Sequence, residues 1–179
     1  EDHAYPRIAF EVRVKGGSSD DAPWAGSGLA HVMEHMLFKG TERRPVGSIE
    51  PEVRRYAGGM NAFTTHDYTG FSLEIGAAHL REGLDLLADV LFRSSFDPTE
   101  LEKEQAVIRS EMRMNRDDPE RRLSQRFWST AFHIHPYRHP VIGYEEVFNQ
   151  LTREEVLTFY RARYVPNNMV LAIVGDVET

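Results

Sequence analysis

Gly28-Leu29-Ala30-His31-Val32-Met33-Glu34-His35-Met36-Leu37-Phe38-Lys39-Gly40-Thr41 is the stretch from which the rest of the chain is read. Positions i, i+3 and i+4 share one face of a helix, so His31, Glu34 and His35 converge if these residues are helical. Two neutral imidazoles on one face can hold a zinc ion, and a neighbouring carboxylate can take a proton from water activated there. The order H-x-x-E-H is the reverse of the commoner H-E-x-x-H zinc motif. Leu29, Val32, Met33 and Met36 form the apolar stripe of the same helix, expected at about 27–38 with Ser27 as a candidate N-cap. A plain amphipathic helix accounts for that stripe and leaves the histidine pair unexplained.

Composition narrows the chemistry. The 179 residues are enough for one domain with a sizeable core. The hydrophobic share of 41% and charged share of 27% are those of an ordinary folded, soluble protein. A net charge of −7, with no run of basic residues, argues against nucleic acid as a partner. No apolar stretch approaches the length of a membrane span. The absence of cysteine excludes disulfides and thiolate ligands, so a metal site here must use histidine and carboxylate. It does not decide between bacterial periplasm, mitochondrial matrix and cytoplasm. The chain opens on Glu1 and shows no signal-peptide pattern, so a processed, trimmed or excised chain is expected.

Around the motif, helical and strand periodicities alternate. Ile8, Phe10, Val12 and Val14 alternate with Ala9, Glu11, Arg13 and Lys15 as in a half-buried strand. Ser48 is a candidate cap for a short helix to about Tyr56, with Pro51 in its first turn. Runs at about 60–65 and 68–75 read as a hairpin or tightly linked strand pair, the one carrying Asn61 and Ala62 being expected at a sheet edge. Helices are expected at about 77–93, 99–115 (capped by Asp97 or Thr99), 119–132 and 153–163 (capped by Thr152). The loop 133–140 should be extended, because residues before proline avoid the α region. Met169–Val174 is continuously apolar and reads as a strand buried on both faces. Strands mixed with helices in this order point to an α+β fold in two layers.

Catalytic zinc usually takes three protein ligands and keeps one position for water. Glu104, Ile108 and Glu111 lie at i, i+4 and i+7 on one stripe of the acidic helix, so one carboxylate can ligate while the other orients a ligand histidine. Spacing alone leaves open which does which. Glu100 and Glu102 read as an exposed acidic face. His133, His135 and His139 form a looser rival cluster, in an extended loop where no helical face gathers them. His66, beside Asp67, reads as turn chemistry or a substrate contact, and His3 and His79 as surface.

Several motifs, in order, resemble the pitrilysin/insulinase family of zinc peptidases. They are Gly28–Thr41; Gly58-Gly59-Met60-Asn61-Ala62-Phe63-Thr64 with Asp67 and Thr69; Glu104-x-x-Val107-Ile108-x-x-Glu111-Met112; His135-Pro136-Tyr137 with Ile142-Gly143; Tyr164-x-Pro166-x-Asn168-Met169-Val170; and Val174-Gly175-Asp176. The resemblance implies a two-layer α/β sandwich, a mostly antiparallel sheet packed by helices. It implies one zinc ion held by His31, His35 and Glu111, with Glu104 in support and Glu34 as catalytic base. It implies a peptide substrate lying along Asn61 and Ala62, with Phe38 also in contact. A second homologous half or subunit would close the chamber and supply an Arg and a Tyr near the zinc. On this resemblance the 179 residues are one N-terminal catalytic domain, expected to be truncated at both ends. The rival in the same family is a catalytically inactive scaffold or peptide-binding subunit.

Overall fold

A computed structural model describes residues 1–178. Four strands form one antiparallel sheet in the order β2-β3-β1-β4: β1 (Arg7–Val14), β2 (Gly59–Thr64), β3 (Thr69–Gly76) and β4 (Met169–Gly175). Seven helices accompany them among the described residues: α1 (Leu29–Met36), α2 (Ile49–Arg55), α3 (Leu80–Phe92), α4 (Pro98–Asp117), α5 (Pro119–Ala131), α6 (Glu145–Phe148) and α7 (Arg153–Arg163). The fold is α+β. The two-residue period of β1 places Ile8, Phe10, Val12 and Val14 in the core, opposite Ile75, Leu73 and Phe71 of β3. Met33, Met36, Leu86, Val90 and Ile108 of the helices are buried in the same hydrophobic cluster.

The same period carries one strand further. Met60, Ala62 and Thr64 of β2 stand opposite Leu73, Phe71 and Thr69, so they share the core-facing side of the sheet. Asn61 and Phe63 alternate to the other side. Among the described residues β2 pairs only with β3 and is a sheet edge, as expected from the sequence.

The apolar run at 169–174 overturns its reading as a doubly buried strand. β4 is the opposite edge, and Val170, Leu171 and Val174 are exposed. Continuous apolarity is shared by central strands and by edge strands that no described element covers, so the pattern alone does not separate them. The helix caps also differ in part. Asp97 and Asp118 accept from first-turn N–H groups of α4 and α5, each followed by proline, and Thr152 with Glu155 forms a capping box on α7. Ser48 makes no cap bond, and its hydroxyl donates to the Pro45 carbonyl instead. The short helix α6 is additional to the expected elements, and the loop 133–140 contains a brief 3-10 turn at Pro136–Arg138.

Ser27 is not the principal cap of α1. The N-cap position falls on Gly28, whose φ of 77° is left-handed, and a Cβ there would meet the Ile142 carbonyl oxygen at 2.2 Å. The capping carboxylate arrives from upstream: Asp21 accepts from Leu29 N and Ala30 N, each at 3.1 Å. Asp21 is buried, and the burial pushes its carboxyl up to about 7, although the N–H groups of Ala30, Leu29 and Gly28 pull it down. Beyond the helix, Thr41 and Arg44 anchor the chain on the buried Asp89 of α3, and Arg44 also pairs with Glu52 and Asp85. The motif helix is therefore held at both ends.

Candidate metal centre

α1 packs on α4, and the buried Ile108 lies midway along the stripe that carries Glu104 and Glu111. This brings His31, His35 and Glu111 together, with one ligand atom from each within 4.8 Å of the others. Glu111 Oε2 lies 3.8 Å from His31 Nε2 and 3.6 Å from His35 Nε2. Tetrahedral ligands about 2.0–2.2 Å from a single ion stand about 3.3–3.6 Å apart, close to this spacing. Two imidazoles and a carboxylate are a donor set that suits zinc.

The protonation states fit the same use. Burial, and then the neighbouring His35, pushes His31 down to about 3, so its imidazole is neutral and can offer a lone pair. His31 Nδ1 is buried without a hydrogen-bond partner. His35 is oriented from behind: its Nδ1 lies 3.0 Å from Glu104 Oε2, and Lys39 Nζ lies 2.7 Å from Glu104 Oε1. Burial pushes the Glu104 carboxyl up, but the hydrogen bonds from Lys39 and His35 outweigh it and leave Glu104 below the usual range. An ionised carboxylate only accepts, so Nδ1 of His35 carries the proton and Nε2 presents its lone pair toward Glu111 and His31.

Glu34 stands beside this trio. Its Oε2 lies 4.0 Å from His31 Nε2 and accepts a 2.7 Å hydrogen bond from Thr64 Oγ1. Glu34 borders two depressions. One is a cleft of about 1020 Å³ lined by His31, Glu34, Glu111, Trp128, Arg138 and Tyr144 among others. The second is a groove of about 290 Å³ lined by Phe38, Met60, Asn61 and Ala62 along the edge strand.

The rival histidines do not join the trio. His135 packs against Tyr137, with ring centroids 4.4 Å apart, and its Nδ1 accepts from Tyr137 N. His66 packs between Trp128 and Tyr137 at 5.3 and 4.9 Å, and Tyr137 donates to Asp67. That ring cluster fastens α5, which has no buried residue of its own, to the turn between β2 and β3. Sequence reasoning assigned no part to Lys39, Asp21 or the Thr64 side chain. Lys39 was within reach of the helical period, four positions after His35, and Thr64 within reach of the strand period, two after Ala62.

Comparison with known proteins identifies what the chain is similar to. The family model described as Insulinase (Peptidase family M16) matches residues 1–145, and one described as Peptidase M16 inactive domain matches residues 150–179. An uncharacterised zinc protease of Mycobacterium leprae is 36% identical over 93% of this chain and 37% of its own length. A probable mitochondrial-processing peptidase subunit beta of Arabidopsis thaliana is 30% identical over 96% of this chain and 34% of its own length. The crystal structure of a protease from Helicobacter pylori superimposes with a TM-score of 0.94 at 30% identity, covering 99% of this chain and 43% of that one. The chain thus spans about two fifths or less of the length of these relatives. Among the described residues no helix is long and apolar enough to cross a membrane.

Proposed function

The chain belongs to the insulinase family, peptidase family M16, and on that premise we propose that it forms a catalytic domain of a zinc-dependent peptidase acting on peptides or unstructured segments. The observation that supports this best is the convergence of His31, His35 and Glu111 beside a carboxylate, Glu34, that is not one of the trio. The trio would hold the zinc. When bound, the ion supplies Lewis acidity that polarises a scissile carbonyl and acidifies water. Glu34 acts as general base. It takes a proton from water as the water oxygen bonds to the carbonyl carbon, and gives that proton to the amide nitrogen as the C–N bond breaks. Glu104, braced by Lys39, keeps His35 in the ligating tautomer.

Substrate binding follows from the free edge of β2. An extended peptide can add to that edge by main-chain hydrogen bonds, with Phe38, Asn61 and Ala62 beside it in the groove. A second homologous half, in the same protein or a partner subunit, would close the cleft and exclude water. The alternative, an inactive scaffold or peptide-binding subunit, is favoured by the match of residues 150–179 to an inactive-domain model. That match falls on α7 and β4, whereas α1 and α4 lie within the match of residues 1–145.

The test uses the full-length protein, with zinc content and cleavage of an unstructured peptide as readouts. Glu34→Gln is expected to retain zinc and lose turnover, and Glu111→Gln to lose both. Zinc loss from Glu34→Gln would exchange the roles of ligand and base. A parent protein that binds peptide and does not cleave it would establish the scaffold reading.

A further inference from the structure

We propose that Thr64 is a positioning residue for Glu34, holding the base in its working orientation from the edge strand; this rests on the peptidase reading above. The Thr64 hydroxyl donates to Glu34 Oε2 at 2.7 Å, and its next acceptor, the Ala30 carbonyl, is distant at 3.5 Å. A hydroxyl has one proton to give, and the shorter, charge-assisted bond to a carboxylate takes it. Among the described residues no other hydrogen bond reaches the Glu34 carboxylate, and His31 Nε2 approaches it only to 4.0 Å. A glutamate with three free torsions, held at one point, loses that hold when the donor is removed.

The donor is itself well braced. Thr64 closes β2 opposite the fully buried Thr69, whose hydroxyl donates to the Gly16 carbonyl. The next residue, Thr65, closes the turn through its N–H to the Tyr68 carbonyl at 2.9 Å. A β-branched side chain in a strand has few rotamers to choose from, so the hydroxyl direction is set by the backbone. Oε2 of Glu34 is thereby engaged, and Oε1 is left without a hydrogen-bond partner to accept the proton from water. The strand that would bind the peptide main chain is also the strand that aims the base.

The experiment compares Thr64→Val, Thr64→Ser and Glu34→Gln, singly and with Thr64→Val added to Glu34→Gln, in the full-length protein. Valine keeps the shape and removes the donor; serine keeps the donor. Thr64→Val is expected to lower kcat about 10–100-fold, the scale of a misplaced catalytic group. KM, zinc content and melting temperature should stay at parent values. Thr64→Ser should recover most of kcat, and Thr64→Val should cost nothing further in the Glu34→Gln background. Thr64→Val within about twofold of the parent kcat, failure of serine to restore it, or an equal drop in the Glu34→Gln background would overturn the proposal. Glu34→Gln is expected to keep only a small residual turnover, against which the double variant is read; turnover by Glu34→Gln within about tenfold of the parent would instead overturn the assignment of the base, so the two failures are distinguishable.

Discussion

Replacing Asp21 by Ala removes the carboxylate that caps the motif helix from eight residues upstream. Its two oxygens accept separately, Oδ2 from Leu29 N and Oδ1 from Ala30 N, and both donors belong to residues with 0% exposure, where water cannot substitute. Leu29 keeps a weaker alternative in Ser27 Oγ at 3.3 Å, whereas Ala30 keeps none among the described residues. A buried N–H left unpaired costs about 1–3 kcal/mol, and loss of an N-cap about 0.5–2 kcal/mol. These overlap, so the expected destabilisation is about 1–3 kcal/mol, a fall of about 0.5–1.5 M in the urea midpoint. Ser27→Ala, by contrast, should cost less than about 1 kcal/mol. If Ser27→Ala costs as much as Asp21→Ala, the cap has been misassigned. The pH dependence has a definite sign. Burial raises Asp21 from its ordinary 3.8 to about 7. Its contribution is complete below 3.8 and is lost as pH rises through about 7, because the folded state then holds a proton that the unfolded chain has released. Asp21→Asn has nothing to titrate, so the difference between its midpoint-versus-pH curve and the parent's should change across about pH 4–7. Parallel curves would refute the assigned burial effect.

Glu104→Gln should weaken zinc binding about 10–100-fold, since Nδ1 of His35 loses its anionic acceptor. Competitive chelation measures this, and unchanged affinity would mean that Glu104 serves only Lys39. Trp128→Ala should loosen α5, because its indole is the α5 side of the contacts to His66 and Tyr137. Hydrogen exchange should rise across 119–131 and stay at parent values in α1; unchanged protection of 119–131 would show that α5 is held by other contacts.

Much of the candidate centre was visible in the chain because it depends on short periods. The spacing of His31, Glu34 and His35 and the stripe through Glu104, Ile108 and Glu111 need only 3.6 residues per turn. Which carboxylate meets which nitrogen was not visible, since it depends on the depth at which α1 and α4 pack. The cap escaped for a different reason. Gly28 is left-handed and a Cβ there would strike the Ile142 carbonyl, so no side chain at that position can cap α1, and the acceptor comes from outside the local window. β4 was misread because an apolar run reports side-chain chemistry and not neighbours. The ring cluster of His66, Trp128 and Tyr137 draws on three separate segments, which no local pattern connects.

On the proposed peptidase reading, the free edge of β2 has a consequence for which segments could be bound and cut there. Binding through main-chain N–H and C=O groups asks that the incoming segment have those groups free, so selection falls on conformation before composition. A segment already paired in its own helix or hairpin must first melt, and each 1.4 kcal/mol of that local stability thins the competent population about tenfold. A stretch held by about 4 kcal/mol would be cut roughly a thousandfold more slowly than the same residues in a floppy tail. Folded proteins would pass by such an edge untouched, and loosening a substrate would govern its lifetime more strongly than editing its sequence.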